Sequence, residues 1–273
     1  MCELLALSSS TPARLTFSLQ TLAARGGTSG NSHDGWGVAF YQGTDAALFR
    51  EPAAAADSAL VRFLETEGPA THLAISHIRH ATQGDVSLAN TQPIVRELGG
   101  RAHVFAHNGH LPGIYRSEAL ALGSHRPVGQ SDSEHAFCAL LERLSEPWTA
   151  STPPTLEVRL SLLNAFAADL RALGPANFLY ADGDAVFGHG HRRLQRTIKR
   201  VEPPGLWIRQ RQCAPDDPAP DDHGGVSIAK EERSVVWIAS VPLTADEWRP
   251  LAEGEVVAAR GGVVLSSQPL TVR

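Results

Sequence analysis

The chain opens with Met1 followed by the run Cys2-Glu3-Leu4-Leu5-Ala6-Leu7. Residues 3–7 are short and mostly apolar, which predicts a buried β-strand. A cysteine is small enough to permit removal of the initiator Met1. The processed chain would then carry a thiol and a free α-amine on one residue, directly before the predicted strand.

A second strong signal lies in the middle of the chain. Apolar residues recur at helical spacing over Ser131 to Leu144, and Ser131 with Glu134 has the spacing of a capping box. The other helices are predicted over residues 12–24 with Pro12 near the start, over 57–67 with Asp57 as cap, and over 155–173 closed by Gly174-Pro175. Further strands are predicted over residues 36–41, 46–49, 72–77, 103–107, 177–180, 185–188, 206–211, 226–229, 235–241 and 256–265, with a hairpin turn at Asp182-Gly183-Asp184.

Strands, then two central helices, then strands again predict an α+β fold with two sheets and helices outside them. We expect one domain over residues 1–273, because no composition shift marks a boundary. Residues 213–225 are rich in Pro, Asp and Gly, and we expect a mobile acidic loop there.

Composition narrows the functional classes. Of the 273 residues, 42% are apolar and 19% charged, and the net charge of −5 gives no electrostatic case for nucleic acid. We interpret the basic run at residues 191–200 as a solvated face. No apolar run reaches the roughly 18 residues of a membrane helix. We expect no secretion signal, because the N-terminus lacks a basic leader and a long apolar core. Three cysteines cannot form a closed disulfide set, so we expect a reducing, cytoplasmic setting.

Cys2 is the first candidate for chemistry. An α-amine has a reference pKa of about 7.7–8.0, so a neutral fraction can accept the thiol proton and later protonate a leaving amine. The alternative is that Cys2 merely starts a buried strand.

Three other short motifs lie at predicted element ends. Arg79, in His77-Ile78-Arg79-His80, could grip a carboxylate with two hydrogen bonds or form a structural salt bridge. Asn108-Gly109 could supply two donors to an oxyanion or be a plain turn. Asp132 could hold a substrate ammonium or stabilise the start of its helix.

These motifs occur together and in one order that resembles the class II glutamine amidotransferases, within the N-terminal nucleophile hydrolases. The resemblance is closest to the short stand-alone members, the YafJ type, and covers nearly the whole chain. It rests on the blocks Cys2-Glu3-Leu4-Leu5, Arg25-Gly26-Gly27, Asp34-Gly35-Trp36-Gly37, His77-Ile78-Arg79, Glu97-Leu98, Ala106-His107-Asn108-Gly109, Arg126-Pro127-Val128-Gly129 and Ser131-Asp132-Ser133-Glu134.

The resemblance implies a four-layer αββα sandwich that needs no cofactor. By position, it makes Cys2 the nucleophile, Asn108 and Gly109 the oxyanion donors, Arg79 and Asp132 the binders of the glutamine α-carboxylate and α-amine, and Thr82 a pocket-lining residue. Many members carry an aromatic residue where His80 stands and a histidine where Gln83 stands. Because these positions shape the glutamine pocket, the two differences leave room for a larger γ-glutamyl substrate.

The expected activity is hydrolysis of glutamine or a γ-glutamyl amide, with ammonia lost, passed to a partner subunit, or irrelevant to a degradative role. A homo-oligomer is compatible with the sequence. Two other classes stay open. One is a zinc hydrolase built from some of the twelve histidines, although no His-Glu-x-x-His spacing occurs. The other is a catalytically silent protein that binds or senses a γ-glutamyl ligand.

Overall fold

The computed structural model describes residues 2–13, 16–17, 34–80, 84–149, 152–195, 197–213, 226–227, 232–245 and 247–268. The α-helices in these ranges are α1 (Ala59–Glu67), α2 (Asp132–Ser145) and α3 (Leu156–Leu173). The short 3-10 helices are Ala55–Asp57, Leu88–Asn90, Ile114–Arg116 and Glu118–Leu120. The strands are β1 (Glu3–Ala13), β2 (Thr16–Phe17), β3 (Trp36–Gln42), β4 (Asp45–Glu51), β5 (Thr71–Ile78), β6 (Ile94–Leu98), β7 (Arg101–Gly109), β8 (Ala176–Ala181), β9 (Val186–His189), β10 (Arg193–Gln195), β11 (Arg200–Glu202), β12 (Trp207–Cys213), β13 (Val226–Ser227), β14 (Arg233–Ala239), β15 (Arg249–Pro250), β16 (Val256–Arg260) and β17 (Val263–Gln268).

Two antiparallel sheets face each other. The larger has the strand order β15-β12-β14-β1-β5-β3-β4, and the smaller has the order β17-β16-β9-β8-β7-β6. Residues from both inner faces, among them Leu4, Ile75, Val104 and Leu179, pack into one apolar cluster between the sheets. The core of the molecule is therefore an interface between sheets.

Helices cover both outer faces. Phe137 of α2 and Phe166 of α3 pack against Phe105 on the smaller sheet. On the other side, Val61 and Leu64 of α1 pack in the cluster beneath the larger sheet. The four-layer αββα sandwich is thus confirmed.

Strand β1 lies in the middle of the larger sheet, between β14 and β5. Leu4 and Ala6 face the cluster between the sheets, whereas Leu5 and Leu7 face the opposite cluster. Because both faces are covered, the strand reads as a nearly continuous apolar run, as the sequence predicted.

The predicted helix over residues 12–24 is wrong at its start. Residues 12 and 13 end β1, where Ala13 pairs with Thr71 after a register shift, and Thr16–Phe17 is a strand. Pro12 lacks a backbone N–H, and an irregular strand end accommodates that loss as readily as a first helical turn does. Residues 18–24 lie outside the described residues, as do 214–225 of the expected acidic loop.

Three local predictions need correction. Helix α1 is capped by Ser58, whose side chain accepts from Val61 N, and not by Asp57. In α2, Ser131 caps Glu134 N as predicted, but the Glu134 carboxylate bonds the backbone N–H groups of Val128 and Gly129. The predicted strand over 256–265 is two strands, β16 and β17, because Gly261 and Gly262 adopt positive φ and form a turn. The hairpin at residues 182–184 is confirmed by the pairing of β8 with β9.

No helix in the described ranges is long and apolar enough to span a membrane.

Candidate active site

The pairing of β1 with β5 sets the position of Cys2. Glu3 lies opposite Ile78, so the chain direction puts Cys2 beside the residues that follow β5. The Cys2 Sγ accepts from the backbone N–H of His80 at 3.3 Å and donates to the His80 carbonyl at 3.5 Å. Burial raises the pKa of the Cys2 thiol, and the His80 N–H partly opposes that effect. The sulfur therefore rests as a thiol and needs a base to become a nucleophile.

Asn108 and Gly109 end strand β7 next to Cys2. The Asn108 side-chain amide donates to the Cys2 carbonyl. A Cβ at Gly109 would collide with the Pro175 carbonyl and with the His107 ring. This position therefore requires glycine, and its exposed backbone is open to close approach.

Asn177 on β8 holds the backbone around Asn108. Its amide donates to the Asn108 carbonyl at 3.0 Å and to the Arg192 carbonyl at 2.8 Å, and its oxygen accepts from His191 N at 2.8 Å. One buried side chain thus connects the end of β7 with the segment that leads into β10.

A buried ion pair anchors the residue after Cys2. Glu3 is fully buried, and its carboxylate accepts from Arg193 at 2.8 Å and from the Ser240 hydroxyl. Arg193 also donates to the Ser240 carbonyl. The interpretation of residues 191–200 as a solvated face is therefore wrong for Arg193 and His191, which are buried. Arg192, Lys199 and Arg200 are on the surface, and Arg196 lies outside the described residues.

A half-open cavity of about 400 Å³ lies in front of Cys2. Five of its lining residues are sequence candidates or their direct neighbours, and the other five follow α3 in the chain. The lining residues are Cys2, His80, Asn108, Gly109, His110, Pro175, Arg192, Arg193, Leu194 and Val201.

Arg79 and Asp132 are close to this group but are not among the described residues that line the cavity. The Arg79 guanidinium donates to the carbonyls of Gly84 at 3.2 Å and Asp85 at 3.1 Å. One Asp132 oxygen accepts from Leu111 N at 2.9 Å and lies 3.8 Å from His110 Nδ1. His80 follows Arg79 in the chain and His110 contacts Asp132, and these two histidines, here called the rim, both line the cavity.

Two residues tied to the predicted pocket, Thr82 and Gln83, lie outside the described residues, as does Met1.

Trp36 is fully buried, donates to Glu51 at 3.0 Å and packs with Leu5 and Leu7. It has a packing role and is not among the described residues that line the cavity.

Two of the histidines considered for zinc contact other groups. His103 contacts the Tyr180 hydroxyl at 2.7 Å, and His72 contacts the Ser9 carbonyl at 3.2 Å. Across the described ranges, no three His, Cys, Asp or Glu side chains are arranged to hold a metal ion.

Sequence reasoning missed the contribution of Glu3, Arg193 and Asn177. A charged Glu3 inside a buried apolar strand was the available signal, because a buried charge needs a partner. The identity of that partner, 190 residues away, was not readable from spacing.

Comparisons with known proteins identify the family of the chain. The family model described as glutamine amidotransferases class-II matches residues 1–272. YafJ of Escherichia coli strain K12, whose name assigns it to the glutamine amidotransferases, is 35% identical over 256 residues, covering 93% of this chain and 96% of YafJ. A Haemophilus influenzae protein named in the same way is 30% identical over 266 residues, covering 96% of this chain and 85% of the relative.

Solved structures give the same result. A Pseudomonas aeruginosa protein described as a glutamine amidotransferase superposes with a TM-score of 0.70 at 34% identity, covering 97% of this chain and all of that one. The glutamine phosphoribosylpyrophosphate amidotransferase of B. subtilis, at 16% identity and TM-score 0.59, shares the fold over 98% of this chain and 49% of its own. The chain belongs to the class-II glutamine amidotransferases.

Proposed function

We propose that the protein is an amidase that hydrolyses the γ-amide of glutamine or of a γ-glutamyl compound through Cys2. The observation that carries the proposal is the placement of the Cys2 thiol at a cavity beside Asn108 and Gly109. The nucleophile requires removal of Met1, which frees the Cys2 α-amine. A reducing, cytoplasmic compartment suits such a thiol.

In the first half-reaction, the α-amine takes the proton of the thiol while Sγ attacks the γ-carbonyl carbon. The resulting oxyanion accepts from the Asn108 amide and the Gly109 backbone N–H. Asn108 can do this without releasing the Cys2 carbonyl, because its NH₂ group has two donors. Collapse breaks the C–N bond, the leaving amine takes the proton, and a γ-glutamyl thioester remains.

In the second half-reaction, the α-amine takes a proton from water, which attacks the thioester carbon. The same two donors hold the second oxyanion. Collapse breaks the C–S bond, returns a proton to the sulfur and releases glutamate. We propose that Arg79 and Asp132, with His80 and Thr82, hold the α-carboxylate and α-amine. For Arg79 this requires that its guanidinium exchange a carbonyl of residues 84–85 for the carboxylate.

The raised pKa of the Cys2 thiol supports the need for an internal base. It also keeps a second candidate open, a protein that binds a γ-glutamyl ligand without cleaving it. Ammonia transfer to a separate partner is compatible with the amidase, and self-association is compatible with either function.

The test uses protein whose mass shows that Met1 is absent. It is treated with 6-diazo-5-oxo-norleucine, an electrophilic glutamine analogue, and glutamate release from glutamine and γ-glutamyl amides is assayed separately. We expect one adduct on the peptide that begins at Cys2, none in Cys2→Ser, and normal labelling in Cys213→Ser. Ligand binding without an adduct or turnover would favour the silent protein, and an active protein that retains Met1 would exclude the mechanism.

A further inference from the structure

The lining of the cavity includes residues beyond those proposed to hold the glutamyl group. From Cys2, its described lining continues through Pro175 to Leu194 and Val201, on the β10–β11 hairpin. Arg79 directly precedes His80 of the rim, and Asp132 lies 3.8 Å from His110 of the rim. A γ-glutamyl group bound by its charged end at that rim would direct the other substituent of the amide toward the hairpin.

We call the part of the lining formed by Pro175, Arg192, Arg193, Leu194 and Val201 the hairpin wall, and both of its arginines are paired with carboxylates. Arg193 is paired with buried Glu3 at 2.8 Å, and Arg192 is paired with Glu253 at 2.6 Å. The rest of the wall consists of Pro175, Leu194 and Val201. Arg193 would have to release Glu3 to bind another anion, and the charge of Arg192 is offset by Glu253, which makes the wall better suited to an uncharged apolar group.

The size of the cavity agrees with a substituent larger than hydrogen. About 400 Å³ lies in the roughly 300–1,000 Å³ range of pockets that enclose drug-sized ligands. Ammonia, the amine released from glutamine, would leave the hairpin wall uncovered.

We propose that this wall is a leaving-group subsite, and that the preferred substrates are γ-glutamyl amides whose nitrogen carries an uncharged apolar group. The inference rests on the proposed function and specifies its substrate class. Each methylene buried against the wall contributes about 0.8 kcal/mol, which corresponds to roughly a fourfold change in kcat/KM. The effect falls mainly on KM, since the contacts are remote from the reacting bonds.

Three substrates test the proposal on the processed protein: glutamine, γ-glutamyl-3-methylbutylamide and γ-glutamyl-leucine. The last two differ by one carboxylate on the amine portion. We expect kcat/KM for the alkylamide to exceed that for glutamine tenfold or more, and to exceed that for γ-glutamyl-leucine. Equal or better use of glutamine would overturn the subsite while leaving the proposed function intact. Better use of γ-glutamyl-leucine would also overturn it, since the wall would then bind an anion. Hydrolysis of none of the three would reject the proposed function itself.

Two variants locate the effect on the hairpin. Leu194→Ser and Val201→Ser change partly exposed side chains, so we expect both proteins to fold. The ratio of kcat/KM for the alkylamide to that for glutamine should fall severalfold in each. Ile198→Ser is the matched control, because Ile198 is exposed between the same two strands and is not among the lining residues. A ratio that is unchanged in the first two variants, or that falls equally in the control, would overturn the assignment.

Discussion

At the scale of single residues, Asn108 combines two tasks. One N–H of its amide holds the Cys2 carbonyl, and the other is available for the oxyanion of the proposed reaction. Gly109 contributes through the absence of a side chain, because any Cβ there meets the Pro175 carbonyl. The two neighbours thus depend on different properties, a side-chain donor and an unobstructed backbone.

Replacing Asn108 tests the first task. Loss of one oxyanion donor raises the barrier by about 3–4 kcal/mol, so Asn108→Ala should reduce kcat by about a hundredfold or more. Asn164→Ala on α3 removes the same amide at a distance from the cavity and should retain parent activity. Circular dichroism and thermal melting check that both variants fold. Parent-like turnover by Asn108→Ala would remove Asn108 from the mechanism.

Arg79 is tested by a change that keeps its charge. Lysine cannot make two parallel hydrogen bonds to a carboxylate, so Arg79→Lys should raise KM tenfold or more with a smaller change in kcat. The measurement is a steady-state comparison with glutamine and with a γ-glutamyl amide, because both present the same α-carboxylate. An unchanged KM for both substrates would contradict the assigned role.

At the scale of elements, features set by a local sequence pattern could be predicted, whereas features set by long-range contacts could not. Helix α2 and strand β1 were predictable, because helical spacing and a short apolar run are properties of the segment itself. The position of β10 was not, because it depends on the contact of Arg193 with Glu3 across 190 residues. Helix boundaries are harder to predict. Helix α1 is capped by Ser58 and not by Asp57, and the sequence does not distinguish these adjacent residues because Ser and Asp are both favoured caps.

The Glu3–Arg193 pair should be a major stabilising contact between β1 and β10. Arg193→Met leaves the Glu3 carboxylate buried without its cation, and we expect a loss of about 3–5 kcal/mol in the free energy of unfolding. The double variant Glu3→Gln/Arg193→Met removes both charges and should recover part of that loss. Denaturant titration measures all three proteins. A single variant as stable as the parent would show that solvent compensates the charge.

At the scale of the whole molecule, buried histidines make folding sensitive to acid. Burial lowers the pKa of His77 and His189 to about 3 and that of His103 to about 4. The unfolded chain binds a proton at each near pH 6.5, whereas the native protein does not until the pH is far lower. Stability is therefore full above pH 6.5 and declines as the pH falls toward 4.

The magnitude of this decline can be measured. Each of the three histidines contributes up to about 1.4 kcal/mol per pH unit between pH 6 and 5. Urea titrations at pH 7, 6 and 5 should show the loss, and His103→Gln should reduce its slope by about one histidine's share. A slope that is equal in variant and parent would mean that His103 is protonated in the native state.

The sandwich as a whole was accessible from sequence through the order of motifs, whereas composition and periodicity gave only α+β. The candidate site was accessible in part. Cys2, Asn108 and Gly109 meet because the ends of β1 and β7 face each other across the sheets. The hairpin wall was missed, because Leu194 and Val201 belong to short strands without a distinctive pattern.

The hydrogen bonds of Asn177 limit how the protein can accommodate different substrates. They tie the carbonyl of Asn108 to the backbone at residues 191 and 192. Displacing that segment to admit a bulky amine would also shift the donor that the oxyanion requires. Adaptation to amines of different shape must therefore occur after residue 192, by bending of the tip of the β10–β11 hairpin. We expect sequence changes that alter substrate specificity to accumulate at this tip, while residues 191 and 192 stay constant.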